Sequence, residues 1–148
     1  MREKSCGTIP YTIKDGRLCY LLIRIRKNGV CGFPKGHVEM NESEEETALR
    51  ETLEETSLRV RIDSGFRYET TYKMDNGNVK TVVYFSAAFS DQTPRRNGDF
   101  ENFEYLLLGY EDALRRLTFE NTREMLKAAN AFLIDMLSKD SISEKQPF

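Results

Sequence analysis

The chain carries a single histidine, His37. That excludes histidine-rich zinc centres and any mechanism that needs two imidazoles. Its three cysteines, Cys6, Cys19 and Cys31, are odd in number and form no Cys-x-x-Cys pair. A disulfide framework is therefore not expected, and reduced thiols in a cytoplasmic protein are the simplest reading. No apolar run approaches the ~20 residues of a membrane span, so no membrane association is expected. The start, MREKSCGTIPY, has no long apolar segment after its charges, which argues against a signal peptide. The net charge is only −2, so no broad basic surface is present and duplex nucleic acid is not an expected partner. A local basic patch can still bind phosphates. No pattern in the chain specifies an oligomeric state.

What is present fits one domain. A length of 148 residues, 39% apolar and 31% charged, suits a globular chain with a real core. We expect that domain over residues 1–138 and a polar, flexible tail over 139–148. GTIPYTIKDGRLCYLLIRIRK predicts two strands about the turn Lys14-Asp15-Gly16. Residues 28–35 are expected as a loop. Ser43 is a good N-cap, and Glu46 three residues later completes a capping box. That helix is predicted to end near Thr56 and to pack through Thr47, Leu49, Thr52, Leu53 and Thr56. Residues 58–62 alternate like a strand. FRYETTYKMDNGNVKTVVYFSAAF predicts two strands joined at Asp75-Asn76-Gly77-Asn78. A polar loop over 92–99, a strand at EYLLLGY and a short helix over 111–117 follow. Met125, Ala129, Phe132, Leu133 and Met136 predict a last helix over 119–137. This order predicts an α/β fold, a mixed sheet with helices on both faces.

The densest chemistry lies in GFPKGHVEMNESEEETALRETLEETSL, residues 32–58, which holds eight carboxylates. Helical spacing puts Glu51, Glu54 and Glu55 on one arc. Like charges so placed repel by about 0.2–0.5 kcal/mol per pair. A cation between them removes the repulsion, and hard, oxygen-seeking Mg²⁺ or Mn²⁺ fits best. Such ions bind substrate phosphates and lower the pKa of a bound water. The alternative is an acidic, solvated helix face. Glu46, four residues before Arg50, is placed to pair with it.

The spacing goes further than three glutamates. The segment resembles the signature of the Nudix hydrolases, G-x5-E-x7-R-E-U-x-E-E-x-G-U. Gly36, Glu42, Arg50, Glu51, Glu54 and Glu55 fall on its fixed positions and Leu58 on its last apolar one. One fixed residue differs: Ser57 stands where the signature has glycine. That glycine usually caps the helix with positive φ, at a cost of about 1 kcal/mol for another residue. FPKGHVE, TALRET, LEET and VKTVVYF are similar to one branch, the asymmetric diadenosine tetraphosphate hydrolases. Thr52, in the apolar slot after Arg-Glu, also agrees with that branch.

The resemblance implies a Nudix-type α/β/α sandwich and a set of roles. Glu51, Glu54 and Glu55, with the Gly36 carbonyl, would hold Mg²⁺ or Mn²⁺ and serve catalysis. Glu101 would join the metal site or act as base, and is a better match than Glu104. Glu42 and Arg50 would tie the loop to the helix. Lys35, His37 and Lys80 would meet the phosphates. Tyr72 and Tyr84 would stack a base, against the alternative of cross-strand packing. Phe132 is the other stacking candidate, with core packing as the stronger reading. The implied reaction is hydrolysis of diadenosine tetraphosphate to ATP and AMP, so the implied partner is a small nucleotide. The shared helix leaves open nucleoside triphosphates, capped RNA 5′ ends and inositol pyrophosphates. A nucleotide sensor without catalysis is a further alternative.

Overall fold

The computed structural model describes residues 2–95 and 102–145. Strand β1 (Arg2–Lys14) sends alternate side chains to opposite faces, Cys6 and Thr8 to one and Ile9 and Tyr11 to the other. It runs parallel to β6 (Val79–Ala88) along one edge. Its other edge is shared: Ser5–Gly7 pair with the short β4 (Lys35–His37), and Tyr11–Lys14 pair with β2 (Arg17–Ile25). The sheet order is β3-β2-β1-β6-β5, with β3 (Cys31–Gly32) and β5 (Arg61–Lys73) at the ends of that path. β7 (Phe103–Gly109) joins β2 antiparallel.

Helix α1 (Glu44–Thr56) covers one face, over Cys6, Val83 and Phe85. Helices α2 (Tyr110–Arg116) and α3 (Glu120–Lys145) cover the other, where Ile9, Tyr20 and Leu22 meet Met125, Leu126, Ala129 and Leu133. The expected α/β/α layering is present. Among the described residues no helix is long and apolar enough to cross a membrane.

Four details depart from the expectation. The loop over 28–35 contains β3 and opens β4. The strands expected at 58–62 and beyond it are one strand, β5, interrupted by a bulge between Ile62 and Arg67. Gly65 in that bulge has φ +107° and lies against the Phe132 ring, a backbone state that favours glycine. Leu49, expected to pack, is 39% exposed, while Ala48 is buried in its place. Helix α3 continues to Lys145, because residues 138–145 contain neither glycine nor proline to stop it.

The end of α1 shows how a serine replaces a glycine. Ser57 is left-handed, φ 62° and ψ 9°, and its N–H donates to Leu53 O at 2.8 Å. Its hydroxyl is buried without a partner. Both features cost stability. Ser57→Gly is expected to raise stability by about 1 kcal/mol, read as a higher midpoint in thermal melts. A lower midpoint would show that the serine is favourable there.

Candidate active site

Helix α1 is set in place by polar contacts at both ends and along its buried side. Ser43 Oγ accepts from Glu46 N, and Glu46 Oε1 accepts from Ser43 N, the full capping box. Glu46 is therefore spent on the cap and does not pair with Arg50 as expected. Glu44 accepts from Arg67 Nε and Nη2, both at 2.8 Å, and pairs with Lys4 at 2.6 Å. Those contacts tie the first turn to β5 and β1, and they hold the Glu44 carboxyl down at about 2. The buried side is threonine-rich. Thr52 Oγ1 lies 2.7 Å from Thr8 Oγ1 and donates to Ala48 O, and Thr56 Oγ1 donates to Thr52 O.

Arg50 is the hub of the acidic face. Its Nε and Nη2 donate to the two oxygens of Glu42 at 2.6 and 3.0 Å. Nη2 also donates to the His37 carbonyl at 3.0 Å. Nη1 donates to Glu51 at 2.8 Å and to Glu54 at 3.3 Å. Glu42 accepts further from Glu39 N and Thr47 Oγ1, so the loop before α1 is sewn to the helix. The Arg50 guanidinium is the main reason the Glu42 carboxyl lies down at about 2.

Glu51 and Glu55 behave differently. Burial pushes Glu55 up to about 7, and the nearby Glu51 charge adds to this. Burial raises Glu51 as well, although Arg50 opposes the shift. Glu55 Oε1 accepts from Lys35 N at 3.0 Å. Gly36 makes room for Glu51: a Cβ there would lie 2.0 Å from the Glu51 carboxyl carbon. This is an all-oxygen donor set short of countercharge, which suits a hard divalent cation. Among the described residues the carboxylates do not stand as a ready cluster of three, and Arg50 engages Glu51 and Glu54. Glu51, Glu55 and Gly36 are the groups able to hold such an ion, with Glu54 one turn away on the rim.

Although Glu55 belongs to the helix on one face, it also lines a cleft of about 450 Å³ with residues of the opposite face. Lys35 lies beside Glu55 in the cleft wall, and burial followed by the Lys80 charge lowers its pKa. Tyr72 pairs in register with Lys80 across β5 and β6, as the Asn-Gly turn predicted. Tyr72 is 37% exposed at the cleft. Tyr84 is different. It is only 2% exposed and meets Phe33 edge-on at 6.4 Å. It is cleft wall, fixed by core packing, and offers no open ring face. Phe132 packs on Phe66 at 5.5 Å, in the core. His37 is exposed, and Arg50 holds its carbonyl. Glu101 lies outside the described residues. Glu104 pairs with Arg24 and Arg26.

The cleft also uses residues that the sequence reading missed. Phe103, Phe119, Thr70 and Asn121 line it. Phe119 is 54% exposed. A large apolar residue just before the first turn of the last helix was the available signal, since that position precedes the helix and so is not held to its core stripe.

Comparison with known proteins agrees with this geometry. The NUDIX domain model matches residues 2–129. The bis(5′-nucleosyl)-tetraphosphatase [asymmetrical] of Mus musculus is 37% identical, over 90% of this chain and 97% of its own. The protein of the same name from Sus scrofa is 32% identical, over 92% and 99%. Among solved structures, a C. elegans Ap4A hydrolase binary complex superposes with a TM-score of 0.80 at 25% identity, covering 90% of this chain and 98% of that one. With the family model spanning most of its length and these relatives matching end to end, the chain belongs to the NUDIX domain family and is a Nudix hydrolase.

Proposed function

We propose that this protein is a metal-dependent hydrolase of dinucleoside polyphosphates, cleaving diadenosine tetraphosphate to ATP and AMP in the cytoplasm. One observation carries the reading: a single cleft brings aromatic rings, Tyr72, Phe119 and Phe103, together with Lys35 and Glu55. Lys80 stands opposite Tyr72 in the sheet, and its charge acts on Lys35. A base, a phosphate chain and a reacting phosphoanhydride call for that combination of groups. The relatives named for this activity support the same substrate.

In this reading Tyr72 and Phe119 take the base, and the two ammonium groups take phosphate oxygens. Lys35 and Lys80 repel one another, so an anion between them relieves both. Glu51, Glu54 and Glu55, with Gly36, would hold Mg²⁺ or Mn²⁺, which when bound lowers the pKa of water and offsets phosphate charge. Glu55, largely desolvated, is placed to accept a proton at neutral pH. Glu101 is kept as a further member of the site. Arg50 keeps Glu51 and Glu54 oriented and is itself fixed by Glu42. His37 flanks the phosphate end.

The other substrates are weighed on the same cleft. An inositol pyrophosphate has no base for the aromatic end. A nucleoside triphosphate or a capped RNA end would use it. A sensor that has lost catalysis would be expected to lack a metal-site glutamate, and Glu51, Glu54 and Glu55 are all present.

The test is a nucleotide panel incubated with purified protein and Mg²⁺, with products separated by chromatography. Diadenosine tetraphosphate should give ATP and AMP as the main products, with no turnover in chelator. Two ADP would mean symmetric cleavage and would overturn the assignment. Tyr72→Ala should raise KM for diadenosine tetraphosphate by about 5- to 150-fold, since base stacking contributes about 1–3 kcal/mol. Tyr72→Phe should change it little. An unchanged KM in a folded Tyr72→Ala protein would leave the ring as sheet packing only.

A further inference from the structure

The aim of Glu55 depends on the end of α1. The last four carbonyls of a helix have no partner within it and must find one elsewhere. Here Leu53 O accepts from Ser57 N, and Thr56 O accepts from Arg95 N. Glu55 O is served by a side chain instead. It accepts from the hydroxyl of Tyr105 on β7, at 2.5 Å and across 50 residues of chain. Tyr105 is itself anchored. It pairs with Ile23 on β2, and it packs on Leu21, Leu58 and Phe89. Two residues earlier on the same strand, Phe103 lines the cleft. Glu55 is therefore held at two points: its carboxyl by Lys35 N on β4, and its carbonyl by Tyr105 on β7.

We infer that Tyr105 is a positioning residue for the metal site, its hydroxyl fixing the last turn of α1 and with it the Glu55 carboxylate. The inference rests on the metal-dependent reading above and adds a residue that acts through Glu55 instead of on the ion. Helix ends fray. This one runs into a left-handed Ser57 whose hydroxyl is buried without a partner, so the terminus carries a cost of its own. Without the phenol oxygen, Glu55 O loses its partner and the last turn is drawn toward water. Glu55 lies in that turn. Glu51 lies one turn further in and is held by Arg50, so the loss falls on Glu55 first. Partners that orient a metal ligand from behind contribute about 10- to 100-fold in metal affinity or activity. Tyr105 works through the backbone, so the lower end of that range is expected.

The test removes one oxygen. Tyr105→Phe keeps the ring in its packing, and circular dichroism checks the fold. Mn²⁺ is titrated by calorimetry into the metal-free, full-length protein, and turnover is measured separately. Tyr105→Phe should bind Mn²⁺ about tenfold more weakly and lower kcat by a similar factor. Its affinity for AMP should stay within about twofold, since the cleft is intact. Tyr20→Phe is the matched control. It also loses a buried phenol contact, to Asn130 Oδ1 at 2.6 Å under α3. It should lower the melting point yet leave Mn²⁺ affinity and kcat within about twofold. Unchanged Mn²⁺ affinity and kcat in Tyr105→Phe would reduce Tyr105 to an ordinary helix cap. Equal losses in Tyr20→Phe would assign the effect to general destabilisation, and either result overturns the role. So would a wild type that binds no Mn²⁺. Tyr105-dependent Mn²⁺ binding in a protein that leaves diadenosine tetraphosphate intact would uphold the positioning role and sink only the substrate assignment.

Discussion

Replacing Glu55 by Gln is expected to slow hydrolysis by about 10²- to 10⁴-fold, the usual reach of a positioned acid–base group. The fold should survive and even gain. Burial raises the Glu55 carboxyl from 4.5 to about 7 in the folded protein. A raised pKa means that the folded state favours the protonated form. Its contribution is thus complete below about pH 4.5 and is lost as pH climbs to about 7. Without metal the loss amounts to about 3 kcal/mol. Metal-free wild type should therefore melt at falling temperature from pH 5 to pH 7.5, and Glu55→Gln should be flatter over that range. Mg²⁺ should raise the melting point of wild type at pH 7.5 more than that of the variant. Calorimetric scans across pH, with and without the ion, check this. Near wild-type turnover in Glu55→Gln would remove Glu55 from the mechanism.

Arg50→Ala should damage both stability and rate. One guanidinium holds Glu42, Glu51, Glu54 and the His37 carbonyl. Removing it leaves several carboxylates facing each other with no cation, at a cost of about 2 kcal/mol for a partly exposed cluster. In a domain of this size that lowers the melting point by about 4–8 °C. The rate should fall too, since Glu51 and Glu54 lose their orientation. Acid sensitivity gives an independent check. Arg50 is the main reason Glu42 lies at about 2 instead of 4.5. That contribution is present above pH 4.5 and disappears as pH falls toward 2, so the acid limb should flatten in the variant. Arg50→Lys should rescue little, because an ammonium cannot form the two-pronged contact with Glu42. Full activity and an unchanged melting point in Arg50→Ala would show that the cluster is ornamental.

Local rules made much of this molecule legible. The capping box at Ser43, the turn at Asn76-Gly77 and the pairing of Tyr72 with Lys80 each follow from neighbours within a few residues. What escaped depends on distance along the chain or on competition between partners. Phe103, Phe119 and Asn121 reach the cleft only because β7 joins β2 and α3 crosses the same face. Tyr84 and Tyr72 sit on adjacent strands and look alike in sequence. Yet Tyr84 lies on central β6, under Phe33, and Tyr72 lies on edge strand β5 at the cleft mouth. Glu46 and Glu42 both stood within reach of Arg50, and the cap claimed Glu46. Leu49 turned outward because the side of α1 that meets the sheet is filled by Thr47, Ala48, Thr52 and Thr56.

That threonine side has a consequence for how sharply the glutamates are aimed. A helix seated on leucine and valine rests on contacts that tolerate small rolls about its axis, since dispersion has no preferred direction. The hydroxyl of Thr52 meets Thr8 on β1 at 2.7 Å, and such bonds weaken steeply when bent. Successive residues on a helix are spaced about 100° apart around its axis, at 3.6 residues per turn. A roll of even a small part of that step would spoil the contact with β1. The hydroxyl pair therefore indexes the rotational phase of α1, as a key indexes a shaft. Glu51 and Glu55, about 100° and 60° around the same turns from Thr52, inherit that angle.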